Sequence, residues 1–304
     1  MIGRIVEVAS NGVHLSVDRG FMAVSRKRER IGQVALDDMS ALIVHGHGAT
    51  FSANLVTRLA ERGAPVVMCG SNHLPVALVW PINGHYEQGL RMEAQAAASK
   101  PTHKRLWRDL VKTKLLMQAA VLDASGSTGA PLRDMAKRVR VGDPENLEAQ
   151  AARRYWPALF GPEFRRNRAE AGRNAYLNFG YMVLRAGAAR SILAAGLHPS
   201  LSIQHVSRGT ALRLADDLME PFRPFVDWRV VQLDAKDVVE LDPEAKAALA
   251  GVMSINLQRP AGVSSLQLCL DRLATSLAQV YLGERKTLEL PCPPVDPDPA
   301  MRSP

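Results

Sequence analysis

Pro81-Ile82-Asn83-Gly84 separates two stretches of unlike periodicity. Before it, apolar residues alternate or gather in short runs. Ser10-Asn11-Gly12 is a tight-turn signal between the runs Arg4–Val8 and Val13–Val17. In the second run Val13, Leu15 and Val17 alternate with His14 and Ser16, the period of a half-buried strand. Phe21–Val24 and Val34–Leu36 are further short strands, and Ala41-Leu42-Ile43-Val44 is a continuous apolar run that suits a strand buried on both faces. Thr50 or Ser52 caps a short helix through Leu59, which Gly63 ends. Pro65–Cys69 returns as a strand, and after His73-Leu74-Pro75 a last strand reaches Trp80. Beyond the divide the period becomes helical and stays so. The predicted helices are His85–Ala98, His103–Leu122, Pro144–Leu159, Ala169–Ala195, Leu212–Met219, Pro243–Ser254 and Ser264–Tyr281, punctuated by Pro101, Gly126–Gly129 and Gly161-Pro162. The expected class is α+β. A small β-rich domain covers residues 1–80, a linker or first helix 81–100, a larger all-α domain 101–285, and a proline-rich tail 286–304.

A chain of 304 residues suits two domains. No apolar run reaches the roughly 18 to 20 residues of a membrane span, since Tyr181–Leu197 is interrupted by Arg185 and Arg190. Arg4 and Glu7 stand where a signal peptide would be apolar, so the expected location is cytoplasmic. Cys69, Cys269 and Cys292 are far apart and form no Cys-x-x-Cys pair, which argues against a disulfide framework or a structural zinc site. The net charge is +8, and residues 101–173 hold fifteen Lys or Arg against eight Asp or Glu. That stretch carries +7 of the total, which suits a polyanionic partner such as nucleic acid; solvated helix faces account for it equally well.

Three places could carry chemistry. In Asp143-Pro144-Glu145-Asn146-Leu147-Glu148, Asp143 suits the N-cap and Pro144 the first helical position. Glu145 and Glu148 share a face, and Glu148 lies close to the apolar stripe of Leu147, Ala151, Ala152 and Tyr155. Either it points into a cleft, or both glutamates simply favour the helix N-terminus. Ser202-Ile203-Gln204-His205 ends a loop with one histidine, and a lone histidine is more often a surface or satisfied core residue than a ligand. Asp216, Asp217 and Glu220 cluster near a helix C-terminus, where the macrodipole opposes them. A bound cation would relieve that cluster, and carboxylates suit Mg²⁺ or Mn²⁺; a solvated acidic patch is the alternative. Arginines surround these acids: Arg153, Arg154, Arg165, Arg166, Arg168, Arg173, Arg208 and Arg213. Metal ligands among arginines are what phosphoryl transfer on nucleic acid requires. The remaining signals are weaker. His45-Gly46-His47-Gly48 lacks further zinc ligands, Gly126-Ser127-Thr128-Gly129 lacks the lysine of a phosphate loop, and Arg26–Arg30 is read as a solvated turn.

The motifs Asn146-Leu147-Glu148-Ala149, Ala175–Tyr181 and Leu214–Pro224 together resemble the CRISPR-associated integrase family, Cas-one, especially the form found beside Cas-nine. The resemblance covers nearly the whole chain apart from the tail. It implies an N-terminal β domain that dimerises and a helical domain that is catalytic and binds DNA. It implies Glu148, His205 and Glu220 as catalytic metal ligands, Asp217 as a further acidic position at that site, and Mg²⁺ or Mn²⁺ as the ion. It also implies a homodimer, two of which flank a Cas-two dimer in a heterohexamer, with other CRISPR proteins as further candidate partners. The assembly would insert short double-stranded DNA into a CRISPR array, each 3′-hydroxyl attacking a repeat phosphodiester. Arg165, Arg166, Arg168, Arg173 and Arg208 are the expected DNA contacts. Relatives carry a second histidine before the ligand histidine and asparagines after it. Here the residues are Gln204-His205-Val206-Ser207-Arg208, so the hydrogen bonds around His205 are expected to differ. Two other readings stand beside the integrase: a branched-DNA nuclease that uses water, and a DNA-binding scaffold with an inert site.

Overall fold

The computed structural model describes residues 4–70, 75–82, 85–167, 170–206, 211–234, 241–259 and 262–292. Among them, the N-terminal part contains β1 (Arg4–Val8), β2 (His14–Asp18), β3 (Phe21–Arg26), β4 (Glu29–Ala35), β5 (Met39–Val44), β6 (Thr50–Phe51), α1 (Ala53–Glu61), β7 (Val66–Cys69) and β8 (Pro75–Val79). The C-terminal part contains α2 (Gln88–Ala96), α3 (Lys100–Ala124), α4 (Ala130–Arg138), α5 (Leu147–Phe160), α6 (Arg173–Ala194), α7 (Arg213–Leu218), α8 (Arg223–Asp234), α9 (Pro243–Ala250), β9 (Asn256–Arg259), β10 (Gly262–Ser265) and α10 (Leu266–Tyr281). A β-rich region followed by a mostly helical one agrees with the α+β expectation.

The strands make two four-stranded sheets, ordered β1-β5-β7-β8 and β4-β3-β2-β6. The Ser10-Asn11-Gly12 turn does not close a hairpin. β1 pairs in parallel with β5, while β2 pairs antiparallel with β3 in the other sheet. Gly12, at φ +64°, donates its N–H to the His47 carbonyl at 2.9 Å, and the turn hands the chain from one sheet to the other. Hairpins lie instead at Arg19-Gly20, between β2 and β3, and at Lys27-Arg28, between β3 and β4, all four residues at positive φ, and the basic run Arg26–Arg30 forms the exposed tip of the second.

β5 is buried at every position, as its unbroken apolar run requires. Its side chains alternate between two cores. Ile43, with Val67 of β7, joins the core of the helical region. Leu42 and Val44, with Val66, pack with Leu15 and Met22 of the second sheet and with Leu55 and Leu59 of α1. Ser52 is the cap of α1, its hydroxyl accepting the Leu55 N–H at 3.2 Å.

In the helical region α6 is buried on nearly all sides. Its Gly180 lets α8 close in, because a Cβ there would lie 2.4 Å from Val226 Cγ1. Helices α4 and α8 lie outside the predicted set, and the β9–β10 hairpin corrects the all-α expectation for residues 101–285. The start of α5 is also corrected. The helix begins at Leu147, with Asn146 as N-cap at φ +51° and its side chain accepting the Ala149 N–H. Asp143 stands farther back, accepting the N–H groups of Leu147 and Glu148 at 2.9 and 3.0 Å. Two side chains thus satisfy the first turn of α5 and set where Glu148 stands. Glu145 is off the helix and pairs with Arg140. Among the described residues no helix is long and apolar enough to cross a membrane.

Candidate active site

A cleft of about 240 Å³ opens between α3, α5, α6 and the start of α8. Glu148, His205 and Glu220, which lie far apart in sequence, all line it. α5 supplies Glu148 from its first turn, and Glu220 comes from a short 3₁₀ turn that joins α7 to α8. His205 comes from the loop after α6.

The acidic cluster near α7 is not an open patch. Its three carboxylates meet three different sets of partners. Asp216 pairs with Arg185 Nε at 2.8 Å. Glu220, only 3% exposed, meets Arg223 Nε at 3.1 Å and Lys114 Nζ at 2.6 Å. Burial alone would raise the pKa of Glu220, but Arg223 and Lys114 outweigh it and hold the carboxyl below the ordinary glutamate value.

Asp217 does not line the cleft; it is fully buried behind His205. Its Oδ2 accepts the N–H of Ile203 at 2.6 Å and of Gln204 at 3.2 Å. Its Oδ1 accepts the His205 N–H at 3.2 Å and faces His205 Nδ1 at 2.7 Å. With Nδ1 donating to the carboxylate, Nε2 is the imidazole nitrogen left for the cleft. The hydrogen bond to Asp217 raises the His205 pKa, with burial opposing. Trp107 closes one side of the ring edge-on, at 5.8 Å between centroids.

Lys114 was not among the expected site residues. It projects from the buried side of α3, and its ammonium lies 2.6 Å from Glu148 Oε1 and 2.6 Å from Glu220 Oε2. Burial works against its charge, yet Glu220 and Glu148 prevail and raise its pKa. Its sequence signal is a lysine in register with Leu110, Met117 and Val121, positions that are all buried. As the side chains stand, no three His, Cys, Asp or Glu residues among the described ones converge as a metal cage. The lysine occupies the middle.

Asp227 lines the inner wall of the cleft and is 1% exposed. Tyr155 donates to its Oδ2 at 2.9 Å and Tyr181 donates to its Oδ1. Burial pushes this carboxyl up to about 6, against the pull of the two tyrosine hydrogen bonds. A folded-state pKa above the unfolded 3.8 means that the favourable contribution is complete below 3.8 and is lost as pH rises through about 6. The resulting cost at neutral pH is about 3 kcal/mol. Asp227→Asn is expected to flatten the fall in stability between those pH values, as read by urea unfolding at pH 4 to 7.5. A variant that keeps the wild-type slope would contradict this assignment.

Of the expected DNA contacts, Arg166 lines the cleft, donating to Asn174 and Asn178 at 2.9 and 2.7 Å. Arg165 is exposed and bonds the carbonyls of Pro162 and Phe164. Both outer nitrogens and Nε of Arg173 are engaged: Nε and Nη2 meet the Asp234 carboxylate at 2.7 Å each, and Nη1 meets the Phe160 carbonyl. Arg168 and Arg208 lie outside the described residues, as do Ser207 and the two positions after Arg208.

Comparison with known proteins gives the family and the fold. The sequence model for "CRISPR associated protein Cas1" matches residues 6–254. The chain is 35% identical over 286 residues to the CRISPR-associated endonuclease Cas1 of Neisseria meningitidis serogroup C (strain 8013), covering 92% of this chain and 93% of that one. Its fold superposes on a casposase bound to integration product with a TM-score of 0.79 at 18% identity, over 94% of this chain and 92% of that one. It superposes on a chain of a Cas6-RT-Cas1–Cas2 complex with a TM-score of 0.76 at 17% identity, over 97% of this chain and 37% of that one. A family match across most of the length, on a fold whose cleft gathers the three motif residues, makes this chain a member of the CRISPR-associated Cas1 family.

Proposed function

We propose that this Cas1 protein is a divalent-metal-dependent integrase that joins 3′-hydroxyl DNA ends to a CRISPR repeat, with Glu148, His205 and Glu220 as the metal ligands. The observation that carries this reading is the donor set of the cleft. Two carboxylates reach one shared cation position, 2.6 Å from each, and His205 lines the same cleft. Two carboxylates and an imidazole suit Mn²⁺ and tolerate Mg²⁺. When bound, such an ion polarises the scissile phosphate and lowers the pKa of the attacking hydroxyl.

The chain's own groups do the rest. Asp217 fixes the tautomer and angle of His205, and so serves as a positioning residue rather than a ligand. Arg166, which lines the cleft, is assigned to a phosphate beside the reacting one, exchanging for it a bond to Asn174 or Asn178, and the exposed Arg165 to the backbone at the rim. Arg168 and Arg208 extend the same proposal, and Arg173 is assigned to fixing α6 against Asp234. In the reaction, the DNA 3′-hydroxyl gives up its proton to solvent as its oxygen forms a bond to the repeat phosphorus. The bond to the repeat's own 3′-oxygen breaks, and solvent returns a proton to that leaving oxygen. The partners are double-stranded DNA as prespacer and repeat, a second copy of this chain, and a Cas-two dimer. The form found beside Cas-nine rests on the three motifs of residues 146–149, 175–181 and 214–224.

The test is product analysis. Purified protein with its Cas-two partner is incubated with a short 3′-hydroxyl duplex and a supercoiled plasmid bearing the repeat. Covalently joined product that needs Mn²⁺ or Mg²⁺ is the expected result. Metal-dependent cutting with no joined product would replace the integrase with a nuclease that uses water.

A further inference from the structure

Lys114 has no place in the three-ligand scheme, yet it holds the centre of the site. Its residue is 8% exposed, on a buried helix face with Leu110, Val111 and Met117 as well as Gln118, which lines the same cleft. A lysine is retained at such a position only when its charge is paired. Here the pairing is double, to Glu148 and to Glu220. Glu220 is also held by Arg223, so each of its two oxygens already faces a protein cation. Glu148, Glu220, Lys114 and Arg223 together sum to zero charge. A divalent ion entering this neutral group adds two positive charges beside a buried ammonium. Coulomb repulsion at such short range in a poorly solvated cleft is large. One protein cation must give way. Both line the cleft, but Lys114 does so on a flexible four-carbon stem, whereas the Arg223 guanidinium is stacked over the Tyr181 ring at 5.0 Å.

We propose that Lys114 is a resident counter-cation of the metal seat: its ammonium competes with the divalent ion for Glu148 and Glu220, and passes to a DNA phosphate oxygen when that ion enters. This inference rests on the metal reading given above. It makes metal and DNA binding mutually reinforcing, because the phosphate supplies the partner that the displaced ammonium loses. Without DNA the site is held assembled by its own lysine, in a form that binds metal weakly. With DNA the same lysine contributes charge to the phosphate.

Direct Mn²⁺ binding tests this without reference to activity. Free Mn²⁺ is titrated by electron paramagnetic resonance against the full chain, with and without a short DNA duplex, for wild type, Lys114→Met, Lys114→Gln and Lys114→Arg. Wild type is expected to bind Mn²⁺ about tenfold or more tightly when DNA is present. Lys114→Met and Lys114→Gln are expected to tighten Mn²⁺ binding about tenfold or more without DNA, and to lose most of the DNA dependence. Lys114→Arg keeps the charge and is expected to bind weakly, as wild type does. The Gln variant carries the test if the Met variant fails to fold. Unchanged or weaker Mn²⁺ binding in both neutral variants would overturn the proposal. Glu148→Ala and His205→Ala run beside them. If these two leave Mn²⁺ binding unchanged, the metal seat itself is misplaced. If they abolish it while the lysine variants do nothing, only the role of Lys114 fails.

Discussion

Glu220→Ala is expected to abolish DNA joining and to cost about 3 to 5 kcal/mol of folding stability at neutral pH, the penalty of breaking a buried ion pair from one side. Glu220 is 3% exposed and is the shared partner of Lys114 and Arg223. Its removal leaves the lysine with Glu148 alone and leaves Arg223 without the carboxylate on its Nε. The stability effect carries its own pH signature. Because the folded-state pKa of Glu220 lies below its ordinary value of 4.5, its contribution is complete above 4.5 and is lost as pH falls through the lower folded-state value. The gap between wild type and variant should therefore narrow on acidification. Urea unfolding at pH 7 and at pH 4 measures both. A variant within about 1 kcal/mol of wild type at pH 7 would mean that the cluster is not the paired group described here.

Asp217→Ala is expected to lose joining almost as completely, although this side chain never reaches the cleft. Three N–H groups, from Ile203, Gln204 and His205, end on its carboxylate, together with the His205 ring. Hydrogen bonds to a buried charge contribute about 1.5 to 3 kcal/mol each, not additively, so a loss of about 3 kcal/mol in stability is expected. Freed of Asp217, His205 can choose either tautomer and several orientations. Mn²⁺ affinity should then fall by about 10- to 100-fold, the usual consequence of removing the partner that orients a ligating histidine. Full joining activity and unchanged Mn²⁺ affinity in Asp217→Ala would show that the loop holds His205 without it.

Much of this was legible in the chain. The burial of β5 on both faces followed from the absence of any polar residue in Ala41–Val44, and the cap of α1 could be narrowed to Thr50 or Ser52, of which the fold uses Ser52, because such a hydroxyl needs only a local partner. What escaped was non-local or lay at junctions. Ser10-Asn11-Gly12 announced a turn, but a turn signal cannot say that the next strand joins a different sheet. α8 starts directly at Arg223-Pro224 after the 3₁₀ turn containing Pro221, and two prolines so close together resemble a break. Pro224 is tolerated there because it falls in the first helical turn, where its missing N–H is not needed. The β9–β10 hairpin has only four residues per strand, too few for an alternation to stand out.

The candidate site shows the same division. Glu148, His205 and Glu220 were singled out by motif, and the fold brings all three to one cleft. The acids near α7 could be read as a cluster relieved by a cation or as a solvated patch, and neither reading contained the partners the fold gives them: Arg185, the His205 loop, and Lys114 with Arg223. Direction of a side chain off a short helix depends on what packs around it, and the sequence interval between Asp217 and Glu220 does not contain that. Lys114 could have been noticed as a charge in a core register, but its two carboxylate partners lie 34 and 106 residues away, reachable only through the tertiary fold.

The most direct measurement is strand transfer by His205→Ala beside wild type, each with its Cas-two partner, in Mn²⁺ and in EDTA. Without the His205 ring, Asp217 still accepts three backbone N–H groups, so the variant should fold and still bind DNA. Joined product from wild type in Mn²⁺ alone, and none from the variant, is the predicted result. Joining that persists in His205→Ala, or in EDTA, would contradict a metal-dependent integrase centred on Glu148, His205 and Glu220.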